Sequence, residues 1–228
     1  MMLPMTPDAI GEQQAVGERW SEAGHHYVTD RWKSSRAEGR DRRLVTKLLE
    51  RVPELTKVRS TLDVPSGTGR LRRALAGCPL FVQADISMSM LAQAALTDPD
   101  REDAALAIPR IQASVHELPF KESSFDLVVC CRLLHHLHSS EDRVAVLQEL
   151  GRVSGQYVIA SYWDSASYQA WRKRTNGPLR RRGRLDVRKP ISYDQLRGEL
   201  GEAGLEPLTR SFSMRFVSQQ TFVLARKK

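Results

Sequence analysis

The chain has 228 residues, a formal net charge of +8 and only three cysteines. This length accommodates one α/β domain with a sizeable core and an appended segment. No run of 18 apolar residues occurs, and the N-terminus lacks a basic start followed by an apolar stretch, so we expect neither a membrane span nor a secretory signal. Three cysteines cannot form a disulfide framework, which favours a reducing, cytoplasmic setting.

The first predicted elements are helical. Residues 8–24 favour a polar helix, and the stretch from Asp41 to Val52 places its apolar side chains on one helical face. We interpret residues 1–55 as an N-terminal helical cap on a main domain that spans residues 56–228.

A short buried strand then enters a glycine-rich turn that opens a helix. Asp63 ends this strand just before Gly67 and Gly69, so its carboxylate can accept hydrogen bonds from amino or hydroxyl groups of a ligand but would repel a pyrophosphate. In the dinucleotide-binding fingerprint a third glycine follows three residues after the second, and that position here is Arg72. The turn therefore predicts a small ligand other than a dinucleotide.

A second apolar strand ends in Asp85, 22 residues after Asp63. Ser87 follows in a position to cap a helix that carries Met90 and Leu91. A carboxylate at this point can bind both hydroxyls of a ribose.

The core of the sequence alternates strands with helices. Strands are predicted near 60–64, 80–85, 110–114, 126–131 and 156–161, with helices near 69–77, 88–97 and 140–152. This alternation is typical of βαβ units in a parallel sheet. The continuous apolar run Leu127–Cys130 fits a strand that is covered on both faces.

Positive charge is concentrated in the last third of the chain. Residues 1–164 hold 20 basic and 22 acidic side chains, whereas residues 165–228 hold 15 basic and 5 acidic ones. Nine basic residues lie from Arg172 to Lys189, beside the single acid Asp186.

Self-repulsion and the Asn176-Gly177-Pro178 turn argue against a regular element from 175 to 190. We therefore predict an exposed basic loop, inserted at about 172–190. Such a loop is by default solvated, and contact with phosphate, RNA or acidic lipid through Arg172–Lys189 is the alternative.

The C-terminal segment predicts one helix and a hairpin. Ser192 and Gln195 form a capping box for a helix that Gly204 ends. Two final strands, near 205–213 and 217–226, are separated by too few residues for a crossover helix, so they must pair antiparallel.

Three further motifs occur at characteristic intervals: Leu118-Pro119-Phe120, Ser124-Phe125-Asp126 and Leu133-Leu134-His135-His136-Leu137. Together with the glycine turn and the two strand-ending acids, they resemble the class I S-adenosylmethionine-dependent methyltransferases, in particular the small-molecule group. The resemblance covers residues 40 to 165 and, more loosely, the C-terminal strands. It implies an α/β, Rossmann-like, doubly wound fold with a mostly parallel seven-stranded sheet and an antiparallel C-terminal hairpin, and S-adenosyl-L-methionine as cofactor.

The resemblance also implies roles for individual residues. The backbone of Pro65 to Gly69 would cradle the methionine part of the cofactor, Asp63 would hold its amino group, and Asp85 would take the ribose diol. The adenine would lie between Ile86, Met90 and Val115, and Cys131 would close the methionine side. The implied cofactor-binding residues are Asp63, Pro65, Ser66, Gly67, Gly69, Asp85, Ile86, Met90, Ser114, Val115 and Cys131.

Two of these positions depart from the family pattern. Pro65 replaces the first glycine, which fixes φ and removes one hydrogen-bond donor. Ser114 stands where an Asp usually accepts from the adenine amino group, and a hydroxyl accepts more weakly. Cofactor affinity is the property that these departures affect.

Methyl transfer from a sulfonium is an in-line displacement, so positioning supplies most of the acceleration, and a general base is required only for weakly acidic acceptors. The candidate catalytic residues are His135, His136 and Tyr162, together with Trp163 and the N-terminal His25, His26 and Tyr27. Packing or capping is the alternative role for the paired histidines. Because Cys130 and Cys131 lack a Cys-x-x-Cys spacing, we predict no metal site.

Three functions remain open from the sequence. The first is methyl transfer to a small-molecule or lipid-like acceptor, anionic acceptors included. The second is an RNA-directed methyltransferase that uses the basic loop, and the third is a non-catalytic relative that binds a partner through that loop.

Overall fold

The computed structural model describes residues 35–75, 77–96, 98, 107–175, 180–181, 184–185 and 189–228. The predicted helix over 8–24 and the candidates His25, His26 and Tyr27 lie outside these residues.

Helices and strands alternate along the described chain. The helices are α1 (Ser35–Arg51), α2 (Arg72–Leu75), α3 (Met88–Leu96), α4 (Ser140–Val153), α5 (Tyr168–Thr175) and α6 (Tyr193–Glu202), and short 3₁₀ helices cover Pro53–Lys57 and Leu134–His136. The strands are β1 (Ser60–Asp63), β2 (Leu80–Asp85), β3 (Arg110–Gln112), β4 (Phe125–Cys130), β5 (Ser154–Trp163), β6 (Arg180–Arg181), β7 (Arg184–Leu185), β8 (Leu205–Phe212) and β9 (Gln220–Lys227).

Seven strands form one sheet in the order β3-β2-β1-β4-β5-β9-β8. The first five run parallel, and β9 runs antiparallel to both β5 and β8. The predicted doubly wound fold with an antiparallel C-terminal hairpin is confirmed. Strand order reverses between β1 and β4, and in open α/β sheets ligands bind outside the carboxyl ends of the strands at such a reversal.

Two apolar layers cover the faces of this sheet. On one face, α4 and α6 pack their buried leucines and valines against alternate side chains of the strands, including Val128 and Val158. On the other face, α1 and α2 pack against the intervening positions, including Leu127 and Ile159. Because both faces are covered, the central strands consist of continuous apolar runs.

The Ser-Phe-Asp motif fastens β4 to β1. Asp126 Oδ2 accepts hydrogen bonds from the backbone N–H groups of Arg59 at 2.8 Å and Ser60 at 3.0 Å. The Ser60 hydroxyl also donates to this oxygen at 3.1 Å. These bonds lie at the amino end of β1, opposite the edge where the strands present their carboxyl ends.

The Leu-Pro-Phe motif is held by α4. Glu149 accepts from the N–H of Leu118 at 2.6 Å, and Arg152 donates to the carbonyls of Phe120 and Leu118 at 2.8 and 3.1 Å. This arrangement fixes the segment that leads into β4.

The predicted serine caps are present, whereas the Gln195 side chain of the predicted capping box donates to Glu199 at 3.1 Å. The Ser87 hydroxyl accepts from the N–H of Met90 at 3.3 Å, and the Ser192 hydroxyl accepts from the N–H of Gln195 at 3.1 Å. Gly204 follows α6 with φ +74°, the left-handed conformation that commonly ends a helix.

Two element predictions need correction. The helix expected near 69–77 begins at Arg72 rather than at Gly69, because the glycine turn extends through residue 71. The segment 175–190 contains a regular element after all, since Arg180–Arg181 pairs antiparallel with Arg184–Leu185. A ribbon of this size needs only two residues on each side, so the repulsion between arginines does not prevent it.

Candidate functional site

The carboxyl ends of β1, β2 and β4 meet at the edge where strand order reverses. Asp63 ends β1, Asp85 ends β2, and Cys131 follows β4. Strands β1 and β2 are parallel neighbours with Asp63 opposite Gln83, so Asp63 and Asp85 lie near each other at the same edge of the sheet, and the charge of Asp85 raises the pKa of Asp63. The strand-ending acids that the sequence singles out therefore lie at one edge of the sheet, and we call the space beyond this edge the crevice.

The glycine turn is fixed by backbone hydrogen bonds. Ser66 N–H donates to the carbonyl of Ala84 at 2.9 Å, which joins the turn to β2, and Gly69 N–H donates to the carbonyl of Ser66 at 3.1 Å. Gly67 and Gly69 have φ values of +55° and +77°, where side chains are strained.

The two glycines differ in what surrounds them. A Cβ at Gly69 would lie 3.1 Å from Gln83 Nε2 and 3.4 Å from the Cβ of Ala94, so the turn needs glycine there to pack against β2 and α3. A Cβ at Gly67 would have no described atom within 4 Å. The backbone at Gly67 thus leaves open space in which a ligand can approach.

Asp85 accepts two backbone hydrogen bonds. Its Oδ2 accepts from Gly67 N–H at 2.7 Å and its Oδ1 from Ser87 N–H at 2.9 Å. Burial raises the pKa of Asp85, and these two bonds oppose the rise. Each carboxylate oxygen has further lone pairs, so the group remains able to accept from a diol.

Asp63 is buried, and neither of its oxygens has a hydrogen-bond partner among the described residues. Desolvation raises its pKa well above the usual range, Asp85 adds to the rise, and Arg70 opposes it. An unpaired buried carboxylate is costly, and a ligand ammonium group supplies both the charge and the donors that would satisfy it. Together with Asp85 and the open Gly67 backbone, this donor and acceptor set fits S-adenosylmethionine.

Four residues predicted to contact an adenine lie around the ends of β2 and β3. Met90 is buried, and Ile86 and Val115 are half-buried. The Ser114 hydroxyl accepts from the N–H of His116 at 3.3 Å. Ser114 is therefore partly engaged in its own turn.

Burial makes the two thiols at the end of β4 poor nucleophiles. Desolvation raises the pKa of Cys131 to about 12, and it raises the pKa of Cys130 further. Both stay protonated near neutral pH and act as small apolar side chains. In the part of the chain that the structure describes, no group of three or more His, Cys, Asp or Glu side chains is arranged to hold a metal ion.

The sequence gives no local signal for a buried ion cluster that lies beside the crevice. Asp41 of α1 is fully buried, with one oxygen 2.7 Å from Arg132 Nε and 3.5 Å from Arg70 Nη1. Arg132 follows Cys131 and adopts φ +64°, and its backbone N–H donates to the Ser161 hydroxyl at 2.7 Å. Asp41 and Arg132 are 91 positions apart, so no local pattern signals the pair.

The three catalytic candidates occupy different environments. His135 is buried, with its ring stacked on Trp163 at 4.4 Å between centroids, whereas His136 is half-buried with its ring 4.5 Å from that of His135. Tyr162 is buried in the core, where Arg210 donates to its hydroxyl at 3.4 Å. Burial raises the pKa of Tyr162 to about 12, so it remains protonated at neutral pH.

The basic segment returns to this edge. Lys189 N–H donates to the carbonyl of His135 at 3.0 Å, and Ile191 exchanges backbone contacts with the end of β5. Lys189, the last residue of the segment, thus borders the paired histidines. Within the described ranges, no helix is both long enough and apolar enough to cross a bilayer.

Comparisons with known proteins agree with this geometry. Residues 62–159 match the family model of a methyltransferase domain. The chain is 28% identical to 27-O-demethylrifamycin SV methyltransferase of Amycolatopsis mediterranei (strain S699), with 90% of this chain and 76% of that protein covered.

Two solved structures share the fold. One is magnesium protoporphyrin IX methyltransferase from Synechocystis PCC 6803 with bound S-adenosylhomocysteine, at TM-score 0.75 and 16% identity, with 95% of this chain and 100% of that chain covered. The other is 1,6-didemethyltoxoflavin-N1-methyltransferase of Burkholderia thailandensis, at TM-score 0.67 and 18% identity, with 100% and 93% covered.

The fold is that of the class I, Rossmann-like methyltransferases. The methyltransferase-domain match and the rifamycin-modifying relative indicate that the protein is an S-adenosylmethionine-dependent methyltransferase, whose cofactor is S-adenosyl-L-methionine.

Proposed function

We propose that Asp63 and Asp85 hold the two ends of the cofactor and that the protein methylates a small-molecule acceptor. The observation that carries the proposal is the buried Asp63 carboxylate, which has no hydrogen-bond partner among the described residues and lies beside a second strand-ending acid. Asp63 receives the ammonium group of the methionine part, and Asp85 accepts from the ribose hydroxyls.

The glycine turn and its surroundings complete the cofactor site in this proposal. The backbone of Pro65, Ser66, Gly67 and Gly69 runs along the methionine part, where the open space at Gly67 permits close approach. The adenine lies between apolar side chains, with a hydroxyl toward its amino group. The residues assigned to this end are Ile86, Met90, Ser114 and Val115, and Cys131 closes the methionine side.

The bound cofactor supplies an electrophilic methyl group on a sulfonium. The protein's part is to align the acceptor atom for in-line attack and to exclude water. We retain His136 as the base for acceptors that must lose a proton, because it is half-buried at this edge, whereas Tyr162 stays protonated with its pKa near 12. His135, which is buried against Trp163, orients the adjacent ring of His136 in this proposal.

The acceptor, in this proposal, is a small or lipid-like molecule with an anionic group, methylated at O, N or C. Lys189 adjoins His135, and the segment that it ends carries nine basic residues beside one acid, which suits a negatively charged acceptor. The rifamycin and toxoflavin enzymes to which the chain is similar are named for small-molecule substrates, which supports this class.

Titration calorimetry with S-adenosylhomocysteine tests the cofactor site. We expect wild-type binding, and a loss of affinity of about 10- to 100-fold in Asp63→Asn and in Asp85→Asn, because each substitution removes a charge-assisted hydrogen bond. Asp194→Asn, an exposed acid in the first turn of α6, serves as the matched control and should bind like the wild type.

Unchanged affinity in both site variants would refute these roles. A pH profile of methyl transfer by His136→Gln, set against the wild type, checks the base. Mass spectrometry of ligands that co-purify with the protein identifies the acceptor class.

A further inference from the structure

Exposed apolar side chains cluster in one region of the molecule. Nine large apolar side chains are exposed among the described residues, and five of them lie in α5 and in the β8–β9 turn. We call these five the aromatic patch: Tyr168, Trp171, Met214, Phe216 and Val217, exposed by 54%, 49%, 59%, 63% and 38%. Single exposed apolar residues are common, but a contiguous group of five is typical of a surface that binds a partner.

Main-chain contacts make the patch one surface. Tyr168 N–H donates to the carbonyl of Phe216 at 2.6 Å, and Gln169 N–H donates to the carbonyl of Val217 at 3.3 Å. The rings of Tyr168 and Trp171 stack with centroids 5.6 Å apart. The helix and the turn therefore present their apolar side chains together.

The patch lies at the same edge of the sheet as the cofactor crevice. Because β9 is antiparallel to both β5 and β8, the strands β5 and β8 run in one direction and end at one edge. The segment after β5 carries Tyr168 and Trp171, and the turn after β8 carries Met214 to Val217.

Positive charge borders the patch. Arg172 and Arg174 are exposed on α5, and the Arg215 guanidinium lies 4.8 Å from the centroid of the Phe216 ring. Along the sequence, the rest of the basic segment, which ends at Lys189, follows this helix. An apolar surface with a basic rim is complementary to an apolar partner with an anionic boundary.

The composition of the patch favours a lipid surface over nucleic acid. Met214 and Val217 are aliphatic and give no stacking platform for a base, whereas hydrocarbon accommodates them. Tyr168 and Trp171 stack on each other, which occupies one face of each ring. Aromatic side chains beside arginines are the combination that seats a protein in the interface of an anionic bilayer.

We propose that the aromatic patch docks the protein on the surface of a membrane that contains anionic phospholipid. Insertion of the apolar side chains and attraction of the arginine rim act together, since neither a small apolar surface nor a few charges anchors a protein well alone. Docked in this way, the protein turns its cofactor edge toward the bilayer.

Sedimentation with lipid vesicles tests the proposal without cofactor or acceptor. The full-length protein should bind vesicles of phosphatidylcholine mixed with phosphatidylglycerol, bind phosphatidylcholine alone weakly, and dissociate as salt rises. Trp171→Ser should lower partitioning by about tenfold. The double variant Arg172→Glu/Arg215→Glu should lower it by at least about 25-fold, since the loss of each basic residue near an anionic surface costs a factor of about five and each new glutamate adds repulsion.

Matched controls lie at the opposite edge of the sheet. Leu80→Ser removes an exposed apolar side chain at the start of β2, and Lys57→Glu/Lys121→Glu reverses two exposed charges before β1 and β4. Both should partition about as strongly as the wild type, apart from the weak long-range effect of net charge. Thermal unfolding verifies that all variants fold.

Several outcomes would overturn the proposal. They are failure to bind anionic vesicles, equal losses in patch and control variants, retention on RNA without vesicle binding, and a concentration-dependent dimer that Trp171→Ser dissociates while vesicles remain unbound. S-adenosylhomocysteine affinity measured on the same variants keeps this test separate from the cofactor site, because the patch variants should retain it.

Discussion

The ionised Asp63 carboxylate destabilises the cofactor-free protein, but the same carboxylate can bind a positively charged group of the cofactor. Burial and the neighbouring Asp85 raise the pKa of its carboxyl group well above the ordinary 3.8. The contribution of this group to the stability of the cofactor-free protein is therefore full below pH 3.8 and falls as pH rises through the raised pKa. A ligand cation reverses the sign, since it stabilises the ionised form.

Cofactor affinity should therefore depend on pH through Asp63. As pH rises through the raised pKa, the carboxyl group loses its proton before binding, so the affinity for S-adenosylhomocysteine should increase and then level off. Below that pKa, binding should release a proton. Calorimetry in buffers of different ionisation enthalpy measures the released proton directly.

The Asp63→Asn variant is the control for this linkage, because an amide does not titrate in this range. Its weaker binding should lack the Asp63 component of proton release. Identical proton release in the variant and the wild type would show that another group titrates.

Among the elements, the clearest stabilising contact joins α4 to α6. Arg143 and Glu199 are both buried and form two hydrogen bonds, with Arg143 Nε donating to Glu199 Oε2 at 2.9 Å and Arg143 Nη2 donating to Oε1 at 2.5 Å. The Ser140 hydroxyl also donates to Glu199 at 2.7 Å. These bonds fix the spacing of two helices that cover one face of the sheet.

Loss of the Glu199 carboxylate should destabilise the fold strongly. Glu199→Ala leaves the Arg143 guanidinium in the interior without this carboxylate, and removal of one partner of a buried pair costs about 3 kcal/mol. Denaturant unfolding measures the change in the free energy of unfolding.

Glu202→Ala provides the comparison, since Glu202 is exposed on the same helix and its change should stay within about 0.5 kcal/mol. A similar loss in both variants would assign the effect to helix propensity rather than to the ion pair.

The elements also show which features a sequence can predict. Strands β1, β2, β4 and β5 are apolar runs bounded by turn residues, and such runs are recognisable without tertiary information. The helix starts only at Arg72, later than the sequence pattern predicts, because the turn around Gly69 uses residues that a helical pattern also accepts. The ribbon at Arg180–Arg181 was missed because its pairing opposes the charge pattern.

The sequence predicts where the two crevice acids lie in the fold, but it does not predict how deeply their carboxyl groups are buried. Asp63 and Asp85 lie at the ends of strands, as the sequence predicts, because parallel strands bring their carboxyl ends to one edge. Their raised pKa values depend on burial by distant segments. The contacts of Leu118 and Asp126 with Glu149 and Ser60 likewise give these motifs structural roles that sequence spacing alone does not reveal.

At the scale of the whole molecule, Asp41 connects the helix that precedes the sheet to the cofactor crevice. Helix α1 packs Leu44, Val45 and Leu48 into the core, and Asp41 on the same helix pairs with Arg70 in the glycine turn and with Arg132 after β4. Docking of α1 and the shape of the crevice are therefore coupled through one buried carboxylate.

Asp41→Asn should impair stability and cofactor binding together. The neutral amide leaves two arginines beside the crevice without this carboxylate, which should lower the free energy of unfolding by about 3 kcal/mol and weaken S-adenosylhomocysteine binding severalfold, because Arg70 and Arg132 would no longer be held in place. Leu48→Ala should also lower the free energy of unfolding, by about 2 to 5 kcal/mol, because it loosens the packing of α1, but Leu48 belongs to neither ion pair with an arginine. Calorimetry below the unfolding transition distinguishes the two causes. Equal losses of affinity in both variants would show that general loosening of α1 explains the effect. A loss confined to Asp41→Asn would establish the ionic coupling between this helix and the crevice.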